Sequence, residues 1–486
     1  MIPRVAQLAF VSLALPALAQ SPLARFKTDG PLALRAESFA RDDVLLRGFL
    51  EVPEDRTKTD GRRIRLHVVV LPARGKEPRE DPVFWLAGGP GQGAASLAPM
   101  FADHWVREDR DIVLVDQRGT GRSNPLQVKT ADDPGDIDAL LAPLFDADRF
   151  RAALRELEKR ADLRCYTTPI AADDLAAVCD ALGYERVNLI GGSYGTRMAL
   201  VFMRQHRARV RAAVLDGVAP IAFENPLHHA RSAQDGFDRL VEECEADERT
   251  RAAYPDLRGD HAQVLERLDQ SPAKLSIGGA DVALTRDGFT SALRVMMYYA
   301  DGNRRVPLLL HRAAAGDLTP FAELAVQSNR GLRDSLALGM LMCVTTAEDL
   351  ARIDEDEIVR ECANTFLGDV RVRAQLAIAS FWPRGALPKD YASPVSVDVP
   401  TLLLSGTHDP VTPPRWGEEA AAHLPRSKHV VVNGCHGVSG HPRVQRLVRE
   451  FLAAASVDGL DLTGLDQVRM PPIELPEPAA IAPRRR

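Results

Sequence analysis

The chain has 486 residues, 45% of them hydrophobic and 26% charged, with a formal net charge of −6. That length suits two to three domains of about 150 residues each and a large buried core. The charge is small for the length, so nothing points to nucleic acid or an anionic membrane surface as a partner.

The N-terminus stands apart. Met1-Ile2-Pro3-Arg4 carries one positive side chain, residues 5–18 are almost entirely apolar, and Ala17-Leu18-Ala19 is an A-x-A pattern before Gln20. This predicts a secretory signal peptide over residues 1–19 and a periplasmic or extracellular mature protein. A membrane anchor or a buried helix is the competing reading. The run is short for a spanning helix, no Cys follows the cleavage pattern, and no later segment offers about 18 consecutive apolar residues. No membrane is therefore expected as a partner once the signal is removed. The six cysteines of an exported chain predict one or more disulfides, whose pairing the sequence does not choose. No C-x-x-C pair or His-rich cluster suggests a metal, and no cofactor is called for.

Residues 49–56 and 64–71 predict a hairpin, and residues 82–86 (PVFWL) a short buried strand. That strand runs into Ala87-Gly88-Gly89-Pro90-Gly91-Gln92-Gly93. A glycine loop at a strand end aims backbone N–H groups at an anion. The loop lacks the G-K-[ST] ending of a P-loop and the full G-x-G-x-x-G spacing of a dinucleotide site. A flexible turn remains its plain alternative. Residues 111–116 (DIVLVD) predict another buried strand, followed by QRGTGRS at 117–123, a direct participant or a turn organised by Arg118 and Arg122. Residues 149–164 are helical and charged, and residues 171–182 form a helix that stops at Gly183.

Residues 187–199 (VNLIGGSYGTRMA) combine a short apolar strand, a tight turn and a helix. The turn is Gly191-Gly192-Ser193-Tyr194-Gly195, a G-x-S-x-G pattern. Small residues two before and two after the serine let the backbone fold sharply and lift the Ser193 hydroxyl over a helix N-terminus. Residues 210–215 form the next strand, ending at Asp216-Gly217. Strands alternating with helices at this spacing predict a mostly parallel sheet with helices on both faces.

From 221 to 397 helical periodicity takes over, with helices at 237–244, 261–268, 291–299, 307–315, 321–328, 332–342 and 371–380. A small hairpin is expected at 274–284. This span is expected to be an inserted helical lid between core segments 20–220 and 398–456. Strands return at 400–404 and 428–432, and a closing helix at 444–454. A Pro-rich tail, 457–486, is expected to be partly disordered.

A serine hydroxyl needs a base, and the base needs a third group to orient it. In α/β hydrolases the chain order is Ser, then acid, then His, with the acid after a late strand and the His after the last. Asp409 follows PTLLLSG, and His436 follows KHVVVNG. Asp216 is the competing acid; His408, His429 and His441 are the competing histidines. The oxyanion donors would be the N–H of Tyr194 and one glycine of the early loop, Gly88 or Gly89.

The motifs GGPGQG at 88–93, DQRGTGRS at 116–123, GGSYGTR at 191–197, LDGVAP at 215–220 and SGTHDPVTPP at 405–414 resemble the prolyl aminopeptidase and tripeptidyl aminopeptidase branch of the α/β-hydrolase serine peptidases. The resemblance runs from about residue 45 to about residue 455. It implies an α/β-hydrolase fold and removal of residues, single prolyl-type or tripeptide, from free peptide N-termini. Ser193 would be the nucleophile, Asp409 the acid and His436 the base. It also implies an acidic lid residue for the substrate amine, and VTTAED at 344–349 makes Glu348 the candidate. An esterase or other acyl hydrolase on the same triad is the alternative. The sequence departs from the family at Ala87, where a His is usual, and at Cys435, where a small residue is usual. Thr346 and Ala379 stand where relatives carry cysteines, so a lid disulfide would be missing or moved to Cys343–Cys362.

Overall fold

The strand-forming runs assemble into one nine-stranded sheet and a separate two-stranded hairpin. The structure, a computed structural model, describes residues 25–26, 29–40, 43–131 and 135–477. The expected signal peptide and the end of the tail lie outside the described residues. The strands are β1 (Arg35–Phe39), β2 (Asp43–Pro53), β3 (Arg63–Leu71), β4 (Val83–Leu86), β5 (Ile112–Val115), β6 (Val187–Gly192), β7 (Val210–Asp216), β8 (Ala273–Ile277), β9 (Ala280–Leu284), β10 (Thr401–Gly406) and β11 (Ser427–Val432). The large sheet runs β1-β2-β3-β5-β4-β6-β7-β10-β11. From β1 to β5 neighbours are antiparallel; from β5 to β11 they are parallel. The carboxyl ends of β4, β6, β10 and β11 therefore share one edge, where open α/β sheets place their ligands.

Side-chain alternation sorts the core onto two faces. Val68, Val70, Phe84, Leu189, Ala213 and Leu403 pack with the helices Thr168–Leu182 and Tyr194–Gln205. Val69, Leu71, Val83, Ile190, Val214 and Leu404 pack with Pro442–Ala454 on the opposite face. Being covered on both sides explains the unbroken apolar runs of β5 and β10. The polar exception in β6, Asn188, is fully buried, and its amide donates to the Asp81 carbonyl (2.9 Å) and carboxylate (2.8 Å). The helix before β6 ends at Gly183, which takes the left-handed conformation (φ 78°) of a helix C-terminus.

Between β7 and β10 the chain is helical, apart from the β8-β9 hairpin. These helices bury a second core around Phe237, Leu240, Phe289, Leu293, Leu310 and Phe321. Two short helices that precede β6, Ile137–Leu141 and Ala147–Leu157, also pack on this region: Leu140 and Leu141 join that core. Phe150 and Leu157 meet Leu338, Met340 and Leu341.

Two expectations are corrected, and the tail is described in part. The helix predicted over 332–342 is broken: one helix ends at Ser335 and the next starts at Leu338. Leu336 and Ala337 are extended because the glycine loop captures them, the Ala337 N–H donating to the Gly91 carbonyl (2.9 Å). The described part of the tail, residues 457–477, packs on the rest of the protein. Leu465 and Val468 are buried in the sheet core, and Glu474 ties to the lid through Arg304 (2.8 Å). All six cysteines are free and buried, so neither the expected disulfides nor a Cys343–Cys362 bridge forms. Cys343 and Cys362 lie in different hydrophobic clusters; Cys343 instead accepts a hydrogen bond from the Trp382 indole (3.4 Å).

Candidate active site

Ser193 sits at the turn between β6 and its helix with φ 54° and ψ −127°. A non-glycine residue held there costs about 1–3 kcal/mol, which the surrounding packing must enforce. Two glycines make the turn possible by close approach. A Cβ at Gly191 would lie 2.4 Å from the Gly195 carbonyl, and one at Gly195 would lie 2.1 Å from the Leu86 carbonyl of β4. The Ser193 N–H donates to the Asp216 carbonyl (2.9 Å), fixing the turn against β7.

Asp409 follows β10 and is fully buried. One carboxylate oxygen accepts from the N–H groups of Val411 (2.8 Å) and Thr412 (2.9 Å). The other accepts from the Thr412 hydroxyl (3.0 Å) and from His436 Nδ1 (2.8 Å). Burial alone raises the Asp409 pKa, but the His436 charge and these donors outweigh it and hold the carboxyl below its ordinary value. Burial likewise lowers His436, and Asp409 overcomes that and raises it above its ordinary value. The ring is gripped from several sides. Its backbone N–H donates to the Tyr298 carbonyl (3.0 Å), and the Tyr298 ring meets it edge-on at 5.4 Å. Gly217, at φ 66°, leaves the space a Cβ would take 3.1 Å from the imidazole. With Nδ1 committed to Asp409, Nε2 is the nitrogen left to serve as a base.

Ser193 and His436 line the same cleft, with Gly88, Gly89, Tyr194, Phe223, Asn225, His229 and Tyr298, about 970 Å³ of empty space including its open mouth. No hydrogen bond joins the Ser193 hydroxyl to the imidazole; such contacts commonly close only around a bound substrate. The two oxyanion glycines separate clearly. The Gly88 N–H donates to the Gln92 side chain (3.2 Å), whereas those of Gly89 and Tyr194 have no acceptor among the described residues. The free pair available to an oxyanion is thus Gly89 and Tyr194.

The competing residues have other work. The buried Asp216 carboxylate accepts from the N–H groups of Val438 (2.9 and 3.0 Å) and Ser439 (2.8 Å), so it anchors the loop that carries His436. His429 bonds Ser405 (3.0 Å) inside the sheet, and His408 pairs with Glu243 (3.1 Å). His441 caps the closing helix. Arg118 makes a two-pronged pair with Asp174 (2.6 and 2.8 Å), so the QRGTGRS turn is scaffolding.

Glu348 is corrected. It lies at the end of the helix Leu338–Glu348, is fully buried, and is not part of the cleft wall. Its oxygens accept from the Thr168 N–H (2.6 Å), the Thr168 hydroxyl (2.8 Å) and the Tyr391 hydroxyl. Three protein donors and full burial away from the cleft leave it out of reach of a substrate amine bound there. Its neighbour Asp349 pairs with the buried Arg197 (2.8 Å) on the nucleophile helix. Thr412, Tyr298, Asn225, His229 and Arg371 also belong to the site. Thr412 lies inside the SGTHDPVTPP motif; the others come from lid and linker segments that carry no local signal.

A family-wide comparison matches residues 81–439 to the α/β hydrolase fold. The chain belongs to the α/β-hydrolase fold family. Among curated proteins it is 29% identical over 430 residues to the serine protease Hip1 of Mycobacterium tuberculosis, covering 78% of each chain. It is 24% identical over 451 residues to the tripeptidyl aminopeptidase of Streptomyces lividans, covering 86% of this chain and 83% of that one. It is 28% identical over 409 residues to carboxylesterase B of Mycobacterium tuberculosis, covering 77% of each. Among the described residues no helix is long and apolar enough to cross a membrane, and no cluster of metal-ligating side chains occurs.

Proposed function

We propose that this α/β hydrolase is an exported serine exopeptidase that trims short peptides through an acyl-enzyme on Ser193. The observation that carries it is the strained Ser193 elbow on one cleft with His436, itself held by Asp409, beneath a helical lid. His436 takes the serine proton as Ser193 attacks, and Asp409 stabilises the imidazolium that forms. The N–H groups of Tyr194 and Gly89 receive the negative charge on the carbonyl oxygen. His436 then protonates the leaving amine, and water repeats the sequence to free the acyl group. The resemblance of five motifs to the aminopeptidase branch and two of the relatives' names support a peptide substrate. Export rests on residues 1–19, and a mature chain starting at Gln20 would support it.

A specific observation favours the esterase alternative: among the described residues no carboxylate lines the cleft to balance a substrate ammonium. One relative also carries an esterase name. The triad serves amide and ester alike. The test is a panel of prolyl, alanyl and tripeptidyl p-nitroanilides, each with free and acetylated N-termini, alongside p-nitrophenyl esters, on wild type and Ser193→Ala. Ser193-dependent amide cleavage that needs a free amine is the expected result. Ester cleavage without amide cleavage would sink the peptidase reading and leave the triad standing.

A further inference from the structure

The catalytic cleft continues under the lid into a second pocket, and the two share Leu144, Leu332 and Arg371 as walls. The inner pocket is apolar along Phe145, Val295, Leu367, Val370 and Ala374. Set into those walls are three arginines, Arg294, Arg333 and Arg371, and one acid, Asp287. Arg333 spends a donor on the Ala142 carbonyl (2.7 Å). The other two are unusual. Arg294 is 2% exposed, and its Nε has no partner. Its one hydrogen bond among the described residues goes to the Tyr298 hydroxyl (2.8 Å), on the residue whose ring meets His436. Arg371 makes no hydrogen bond to any described residue; its guanidinium lies over the Phe145 ring at 5.3 Å, and its buried Nε is also without a partner. Among the described residues no carboxylate, Asp287 included, is within ion-pair distance of either.

Buried guanidinium groups are normally paired, because an uncompensated buried charge is costly. The buried arginines elsewhere in this protein obey the rule: Arg107 has Asp43, Arg118 has Asp174, and Arg197 has Asp349. Arg294 breaks it in the inner pocket, and half-buried Arg371, whose Nε is buried, stands equally unpaired where that pocket meets the catalytic cleft. Burial beside Arg294 pushes the Arg371 pKa down to about 9, the direction expected of cations lacking a counter-charge. The planar guanidinium fork matches a carboxylate in both shape and charge.

We propose that Arg294 and Arg371 form an anion-receiving subsite that selects substrates carrying a carboxylate on the part that enters beneath the lid. The substrate class is then an acyl or peptidyl compound with an apolar stretch between the scissile carbonyl and an acidic group, such as a peptide with a Glu or Asp side chain near the cleaved bond. The inference rests on Ser193 being the acylated nucleophile, but not on the scissile bond being an amide.

The test uses isosteric pairs on the full-length mature protein. One set is free-amine tripeptidyl p-nitroanilides with Glu or Gln scanned through each position. The other is p-nitrophenyl hydrogen suberate against its terminal amide. Wild type is expected to prefer the acidic member by roughly 10- to 100-fold in kcat/KM at one position and in the ester pair. Arg371→Gln and, separately, Arg294→Gln should bring that ratio to within about threefold of one, while Arg371→Lys should keep part of it. A fluorophosphonate titration of Ser193 normalises each variant for folded protein, so a variant that fails to fold is recognised as such. Suberate dianion at constant ionic strength should inhibit wild type competitively and Arg371→Gln at least tenfold less, which reads the subsite without turnover. No acidic preference in either set, or a preference that survives Arg371→Gln, overturns the proposal. If only the esters turn over but the suberate preference is present, the subsite stands and the peptidase reading falls.

Discussion

Two fully buried carboxylates, Asp409 and Glu348, have closely similar hydrogen-bond partners. Each accepts from backbone N–H and from a threonine hydroxyl: Thr412 to Asp409 (3.0 Å), Thr168 to Glu348 (2.8 Å). Each has one further strong donor, His436 for the first and Tyr391 for the second. The difference lies in where that donor leads. His436 opens onto the cleft and has a second nitrogen to offer. Tyr391 is buried and leads back into the protein, as does Thr168, whose hydroxyl also meets the Tyr194 hydroxyl (2.7 Å). Burial and hydrogen bonding therefore do not distinguish a catalytic acid from a structural one. The chemistry of the group at the far end of the bond does.

The largest expected effect breaks the Asp409 side. Asp409→Asn keeps the volume but removes the charge and offers His436 the wrong hydrogen-bonding partner. We expect kcat to fall on the order of 10⁴-fold, with the circular dichroism spectrum unchanged. The pH profile carries the sign. His436 acts as a base only when neutral, and Asp409 raises its pKa above the ordinary 6.5. In wild type kcat/KM should rise with pH through a midpoint above 6.5. In Asp409→Asn burial is opposed only by the more distant Asp216, so the residual activity should titrate at lower pH. An unshifted midpoint would mean that Asp409 does not set the base.

Glu348→Ala is the counterpart. It leaves Arg197 with Asp349 alone and strips acceptors from Thr168 and Tyr391. Because Arg197 keeps Asp349, the expected loss comes from stranded buried donors, roughly 2–4 kcal/mol in unfolding free energy, read by urea denaturation. The same substitution should not select against free-amine substrates relative to their acetylated forms. A selective rise in KM for free amines would return Glu348 to the role of amine anchor.

The convergence of Ser193, Asp409 and His436 was legible because each is local: a strand, a small-residue turn and a polar side chain appear together three times. The parallel strands were legible for the same reason, whereas β1 (Arg35–Phe39) and the first half of β2 from Asp43 carry no such local signal. Glu348 misled because VTTAED resembles a substrate-binding segment, and no local pattern reveals that the helix turns its last carboxylate toward Thr168 and Tyr391, far away in the chain. The break at Leu336–Ala337 was hidden likewise, since its cause is the distant Gly91. Arg294 and Arg371 each look like one more solvated helix charge. Only the folded lid brings them to one pocket and leaves acids out of their reach.

The smallest effect is the sharpest discriminator, because it makes the same change on both sides. Thr412→Val and Thr168→Val each remove one hydroxyl donor from a buried carboxylate, and each deletes a hydrogen bond with a net value of about 1 kcal/mol. If the two carboxylates differ only in what their partners do, the losses should appear in different measurements. Thr412 Oγ1 also lies 3.2 Å from His436 Nδ1, so its loss loosens the group that orients the base. We expect kcat to drop roughly fivefold to tenfold with little change in the urea midpoint. Thr168→Val should do the reverse, lowering the midpoint while kcat stays within about twofold, because the Thr168 N–H still holds Glu348. Equal effects in both assays would mean that the Glu348 network reaches the nucleophile through Tyr194, and that the two sides are one coupled unit.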